Sequence, residues 1–213
     1  GKALCKAALQ AEVGLPADPD APLLGLVSRF AHQKGIDVFA DALPEILSLG
    51  VQVVVLGAGE RWAEDLFGRL GASSSRFKAT IGMNEGLAHR IEAGADIFVM
   101  PSQYEPCGLN QLYSLQYGTV PVVRATGGLV DTVVDANEQT LADGTATGFK
   151  FEEYTSLALA EALERALAAY HDKTTWIRLV EAGMREDWSW GNSAQQYAAL
   201  YERTVARGPL AVE

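Results

Sequence analysis

From Leu23 onward, short apolar runs alternate with longer stretches whose apolar residues recur at helical spacing. Leu23-Leu24-Gly25-Leu26-Val27-Ser28 and Val51-Gln52-Val53-Val54-Val55-Leu56-Gly57 have the length and near-continuous apolar character of strands buried on both faces. Asp96-Ile97-Phe98-Val99-Met100 and Val120-Pro121-Val122-Val123 read the same way, residues 76–81 add another strand, and Phe149-Lys150-Phe151 is a last short one. Between them, Ile36–Leu49 (stopped by Gly50), 60–70, 85–94 and Gly108–Tyr117 carry helical periodicity. Such alternation predicts βαβ units with right-handed crossovers. The fold class is α/β, a Rossmann-like parallel sheet with helices on both faces.

Residues 1–15 form a predicted helix ending near Gly14, and Pro16-Ala17-Asp18-Pro19-Asp20-Ala21-Pro22 reads as a turn or linker. After Gly148 three further helices are predicted, over 155–171, 174–187 and 193–206. The domain reading is residues 1–20 as N-terminal helix and linker, 21–190 as the Rossmann-like domain, and 191–213 as a C-terminal helix. The late aromatics Trp176, Trp188, Trp190, Tyr197 and Tyr201 are expected to pack against the sheet domain; the alternative is docking onto something outside this chain.

Composition narrows the function classes. The 213 residues are 48% hydrophobic and 21% charged, which is globular composition. A formal charge of −10 repels nucleic acid and anionic membranes at long range, so neither is an expected partner. Cys5 and Cys107 cannot build a disulfide framework, and no Cys/His cluster points to a metal. No apolar run approaches the roughly 18 residues of a membrane span. No secretory segment follows the N-terminus, so the cytosol is the default compartment. The chain opens without Met inside a predicted helix, which points to a processed or cut chain.

In an open parallel sheet, ligands bind beyond the carboxyl ends of the strands. Five loops there hold candidate chemistry. Ser28-Arg29-Phe30-Ala31-His32-Gln33-Lys34-Gly35 sets a planar guanidinium and a point charge near a helix start, a pair suited to a diphosphate or else two solvated surface cations. Gly57-Ala58-Gly59-Glu60 lets backbone approach a ligand, or is a plain tight turn. Met83, in Gly82-Met83-Asn84-Glu85, is a core residue or faces a base. In Pro101-Ser102-Gln103-Tyr104-Glu105-Pro106-Cys107-Gly108-Leu109-Asn110-Gln111, Glu105 follows a strand end beside free amides. It either caps the next helix or stabilises positive charge on a sugar ring. Arg124-Ala125-Thr126-Gly127-Gly128 ends another strand in paired glycines, for phosphate approach or for a turn. Three of the five loops favour an anion and one supplies a carboxylate.

Ser28-Arg29-x4-Lys34-Gly35, His89-Arg90-Ile91-x2-Gly94-Ala95-Asp96, Pro101-Ser102-x2-Glu105-Pro106-Cys107-Gly108-Leu109-Asn110-Gln111-Leu112-Tyr113, Tyr117-Gly118-Thr119-Val120-Pro121 and Thr126-Gly127-Gly128-Leu129-x-Asp131-Thr132-Val133 resemble bacterial glycogen synthase and plant starch synthase, retaining GT-B glycosyltransferases. The resemblance runs from about residue 2 to 205 and matches only the C-terminal, nucleotide-sugar-binding half. It implies an ADP-glucose:α-1,4-glucan glucosyltransferase in bacterial cytoplasm or plastid, without cofactor. ADP-glucose or ADP, an α-1,4-glucan and an N-terminal GT-B domain absent from this chain are the implied partners. Residues 191–213 would cross to that domain.

Carried across by resemblance, Arg29 and Lys34 neutralise the diphosphate and Glu105 is the carboxylate beside the sugar. Amides of Cys107, Gly108, Leu109 and Asn110 meet glucose and phosphate. Thr126, Gly127 and Gly128 lie near the phosphates, and Gly57 belongs to the donor site. Met83 stands where relatives place an aromatic ring against adenine. Tyr113 stands where other retaining GT-B enzymes have a second Glu. The competing readings are a UDP-sugar-using transferase domain and a non-catalytic nucleotide- or glucan-binding module. The Arg29, Lys34 and Glu105 set weighs against the last, because a pure binder has no need of the carboxylate.

Overall fold

Side chains alternate across the strands, and both sides of the sheet are covered. Val53 and Val55 face one apolar layer while Val54 and Leu56 face the other. Double burial explains why these strands read as unbroken apolar runs rather than as alternating ones. The computed structural model describes residues 1–207.

Among the described residues, six strands, β1 (Leu23–Val27), β2 (Gln52–Gly57), β3 (Phe77–Ile81), β4 (Ile97–Met100), β5 (Val120–Arg124) and β6 (Phe149–Phe151), form one sheet in the order β3-β2-β1-β4-β5-β6. Every neighbouring pair is parallel. The order turns back on itself between β1 and β4, which opens a crevice at their carboxyl ends.

The helices are α1 (Lys2–Val13), α2 (Ile36–Ser48), α3 (Arg61–Ser73), α4 (Glu85–Gly94), α5 (Asn110–Gln116), α6 (Gly128–Thr132), α7 (Glu138–Asp143), α8 (Ser156–His171), α9 (Lys173–Arg185) and α10 (Trp190–Arg207). Helices α2, α3, α8 and α9 bury Phe39, Phe67, Leu163 and Leu179 in one layer; α1, α4 and α6 bury Leu9, Ile91 and Leu129 in the other. Burying one such side chain stabilises the fold by roughly 1.5–3 kcal/mol.

Three elements differ from expectation. The helix placed at Gly108 starts at Asn110, because Gly108 adopts the left-handed conformation with φ 72° and Leu109 is the N-cap. α7 has no counterpart in the apolar pattern, since none of its residues is buried. Of the late aromatics only Trp176 packs into the core, edge-on to Tyr170 at 5.2 Å. Trp188, Trp190, Tyr197 and Tyr201 are exposed, contrary to the packing expectation, because α10 leaves the domain with no buried residue. Residues 208–213, the end of the predicted C-terminal helix, lie outside the described residues.

A buried polar network builds residues 1–20 onto the amino ends of the strands. Lys6 Nζ donates to Asp96 Oδ2 at 2.7 Å, to Tyr170 Oη at 3.2 Å and to Pro19 O at 3.0 Å. The same Asp96 oxygen accepts the Leu23 N–H at 2.9 Å, which ties β1 to the start of β4. Gln10 Nε2 donates to Gln52 Oε1 at 2.7 Å, and Gln52 Nε2 donates to Pro16 O at 2.8 Å. Burial opposes the Lys6 charge, the Asp96 carboxylate favours it, and the balance lies above the usual lysine range. On α4, Glu92 is buried with Oε2 lacking a hydrogen-bond partner among the described residues; His89 Nδ1 stands 3.3 Å away. Burial pushes the Glu92 carboxyl up, against the opposing pull of His89.

Lys6→Met leaves Asp96 buried without its cation, so a loss of about 3–5 kcal/mol is expected from urea unfolding midpoints. Glu92→Gln works the other way. A carboxyl raised in the folded state contributes stability below its unfolded value of 4.5 that is lost as pH rises through the folded value. The Gln variant is therefore expected to melt above the wild type at pH 7, with the gap closing near pH 4 in thermal scans.

Candidate functional site

The loops leaving β1, β2, β3 and β4 wall a cleft of about 900 Å³ at the point where the strand order reverses. Among its lining residues are Arg29, Lys34, Gly57, Met83, Glu105, Gly108, Leu109 and Asn110. These eight were singled out in the sequence on four separate loops, and the topology brings them together. Cys107, Tyr113, Thr126, Gly127 and Gly128 do not line it.

At the centre, Lys34 Nζ lies 2.5 Å from Glu105 Oε2. The local fold forces this approach. After β1 the chain makes a tight turn over His32–Lys34 that ends at Gly35 with φ 69°; a Cβ there would stand 1.9 Å from Pro101 O, so only glycine lets the turn lie against the end of β4. The Gln33 carbonyl accepts the Gln103 N–H at 3.0 Å, joining the two loops. Glu105 is buried, with a side chain 7% exposed. The Ser102 hydroxyl, also buried, donates to the same Oε2 at 3.3 Å. The helix-capping alternative for Glu105 does not hold, because α5 is capped at Leu109 with no side-chain bond.

Arg29 is exposed on the cleft wall and makes no ion pair among the described residues. Its guanidinium is thus available to an anion. Met83 is 98% exposed, so it is not a core residue. Asn110 Nδ2 donates to Val27 O at 3.0 Å and pins the start of α5 to the end of β1. The amides of Cys107, Gly108 and Leu109, just ahead of α5, find no acceptor among the described residues. Consecutive unpaired amides of this kind form an anion-binding concavity.

Of the remaining candidates, Gly127 and Gly128 support the loop from behind. The Gly128 N–H donates to Glu105 O at 3.0 Å. Gly127 has φ 50°, and a Cβ there would come 2.0 Å from the Glu105 carbonyl oxygen. The paired glycines therefore meet backbone. Tyr113 lies on α5 with its ring 6.2 Å from that of His89. On the other flank, the Tyr154 hydroxyl donates to Asp37 Oδ1 at 2.7 Å, and His32 Nδ1 sits 3.0 Å from Asp37 Oδ2. Burial first, then the Asp37 carboxylate, pushes the Tyr154 phenol up.

The sequence reading missed Ser102 and Gln111 as individual contributors. Ser102 is legible only as a hydroxyl three positions before Glu105; Gln111 gives no signal without its partners. Among the described residues, no group of three His, Cys, Asp or Glu side chains could hold a metal ion, and no helix is long and apolar enough to cross a membrane.

Comparison with known proteins gives a consistent picture. The sequence profile of the family described as "Glycosyl transferases group 1" matches residues 11–179. The chain is 59% identical over 211 residues to a glycogen synthase of Anaeromyxobacter dehalogenans, covering 98% of this chain and 43% of that protein. With a glycogen synthase of Aromatoleum aromaticum it shares 56% identity over 201 residues, covering 94% and 41%. Among solved structures, the catalytic domain of starch synthase IV from Arabidopsis thaliana, bound to ADP and acarbose, matches with a TM-score of 0.86 and 37% identity, over 96% of this chain and 43% of that one. The chain thus spans less than half the length of these three relatives.

Gly127→Ala would drive a methyl group into the Glu105 carbonyl at a backbone angle alanine avoids. A loss of at least about 1–3 kcal/mol is expected from chemical unfolding. Serine at the same position should cost no less, which separates backbone strain from a lost ligand contact.

Proposed function

The chain belongs to the glycosyl transferases group 1 family, and from that premise we propose that it is the donor-binding domain of an ADP-glucose:α-1,4-glucan glucosyltransferase, a glycogen or starch synthase. The observation that carries the proposal is the meeting of Arg29, Lys34 and Glu105 on one cleft, next to three unpaired amides. The similarity to glycogen synthases at 59% identity and to a starch synthase solved with ADP supports the choice of donor.

In this reading the donor diphosphate lies between Arg29, Lys34 and the amides of Gly108 and Leu109. The two cations offset the charge that builds on the leaving ADP. Glu105 lies on the sugar side, where its carboxylate stabilises positive charge at the anomeric carbon as the glycosidic phosphate bond lengthens. The glucan 4-hydroxyl attacks from the face the phosphate leaves, which retains the configuration. Ser102 holds the Glu105 carboxylate in place through the cleft's buried end. Met83 faces the adenine with its thioether. The acceptor wall belongs to an N-terminal GT-B domain outside these residues, and the exposed aromatic face of α10 is the surface we assign to reach it. The setting is the compartment in which the glucan is made, the cytoplasm in a bacterium.

Isothermal titration of the 213-residue chain with ADP is expected to show binding, with UDP at least tenfold weaker. Arg29→Ala and Lys34→Ala should each weaken ADP by about ten- to hundredfold, the worth of one charge-assisted hydrogen bond. The chain alone is expected to transfer no glucose to glycogen in a radiolabel assay. ADP binding that is absent, matched by UDP, or indifferent to both substitutions would remove the donor assignment.

A further inference from the structure

We infer that Gln111 is a positioning residue for the donor phosphates, acting through the Gly108 and Leu109 amides. The inference rests on the donor-binding reading above.

Gln111 lies in the first turn of α5 with no exposed surface. Its Nε2 lies within hydrogen-bond reach of three acceptors: Cys107 O at 3.2 Å, Gly108 O at 3.2 Å and Thr132 Oγ1 at 3.1 Å. The Thr132 hydroxyl spends its own proton on Gly128 O at 2.7 Å, so its lone pair is free to accept from Gln111. Gly128 in turn donates its N–H to Glu105 O at 3.0 Å. The circuit runs from Glu105 through α6 to Gln111 and back to Cys107 and Gly108. Both carbonyls that Gln111 reaches belong to the loop that carries Glu105.

Peptide geometry converts this into an orientation of donors. A trans peptide sets its N–H opposite its C=O. With the Cys107 carbonyl turned toward Gln111, the Gly108 N–H points the other way; with the Gly108 carbonyl held likewise, so does the Leu109 N–H. Both residues line the cleft, and neither amide has an acceptor among the described residues.

The side chain also shows that this arrangement is held against a local cost. Gln111 Oε1 is buried with no partner among the described residues. Turning the amide over would set that oxygen against two carbonyls, so the NH2 stays on the loop and the oxygen goes unpaired. The crowding extends to Gly108, where a Cβ would come 2.5 Å from Gln111 Oε1.

The test is titration of wild type, Gln111→Met and Arg29→Ala with ADP and with adenosine, which keeps the base and ribose and lacks phosphate. Gln111→Met preserves length and removes the donors. It is expected to weaken ADP by about tenfold and leave adenosine unchanged. In the wild type, the Gly108 and Leu109 amide resonances are expected to shift with ADP and not with adenosine. Equal losses for both ligands, or ADP affinity retained in Gln111→Met while Arg29→Ala loses it, overturns the positioning role and leaves the donor reading standing. Failure of the wild type to bind ADP overturns both. Should Gln111→Met not fold, Thr132→Val cuts the same circuit from α6: a loss confined to ADP supports the inference, and unchanged ADP affinity overturns it.

Discussion

A salt bridge across the gap between β1 and β4 organises this domain's working edge. Lys34 and Glu105 come from loops that depart to separate helices, and they meet at 2.5 Å over the point where the strand order turns back. The approach depends on Gly35 lying against Pro101 and on Gln33 accepting from the next loop. Removing one member of a buried pair strands the other charge. Here Lys34 keeps some contact with solvent, so screening lowers its share of stability and leaves the cation able to exchange partners.

That partial exposure matters for a protein whose net charge is −10. In the proposed function, an approaching diphosphate meets a repulsive long-range field and, inside the cleft, the two cations Arg29 and Lys34. Arg29 offers an uncommitted charge at the rim, while Lys34 is already engaged by a carboxylate. On the proposed reading, phosphate draws Lys34 away as it seats. On that reading Glu105 is then left without its cation at the stage when the sugar becomes cationic. The same contact, on that reading, serves both halves of the cycle, paired at rest and opened when loaded.

Much of the architecture is legible because burial on two sides leaves its mark residue by residue, as at Gln52–Gly57, where every position is buried. Helices with one apolar face, such as α2, are legible for the same reason. α7 escapes notice because Glu138–Asp143 buries nothing; its one local signature is the capping box between Asn137 and Thr140. The site divides along similar lines. Three charged residues that line the cleft, Arg29, Lys34 and Glu105, belong to types with obvious chemistry. Those that act from behind do not: Gly127 and Gly128 suit phosphate approach equally well on paper, and only three-dimensional packing shows them pressed on the Glu105 and Cys107 backbone. Gln111 depends on Thr132, 21 positions further on, a separation no local pattern reports. The tail aromatics mislead for the converse reason, since aromatic content registers burial somewhere without saying where.

The four tryptophans divide unevenly between interior and water. Trp176 is enclosed beside Tyr170, whereas Trp62, Trp188 and Trp190 are all hydrated in the folded chain. Intrinsic fluorescence will therefore be red-shifted before any denaturant is added, and the change on melting will come mainly from a single indole on α9. Trp62 is the exception of interest. Its ring nitrogen is bonded to Glu60 at 2.6 Å, and the other oxygen of Glu60 holds the His32 amide at 2.9 Å. A fluorophore is thereby wired to the turn that carries Lys34, a built-in optical probe of that turn's movements.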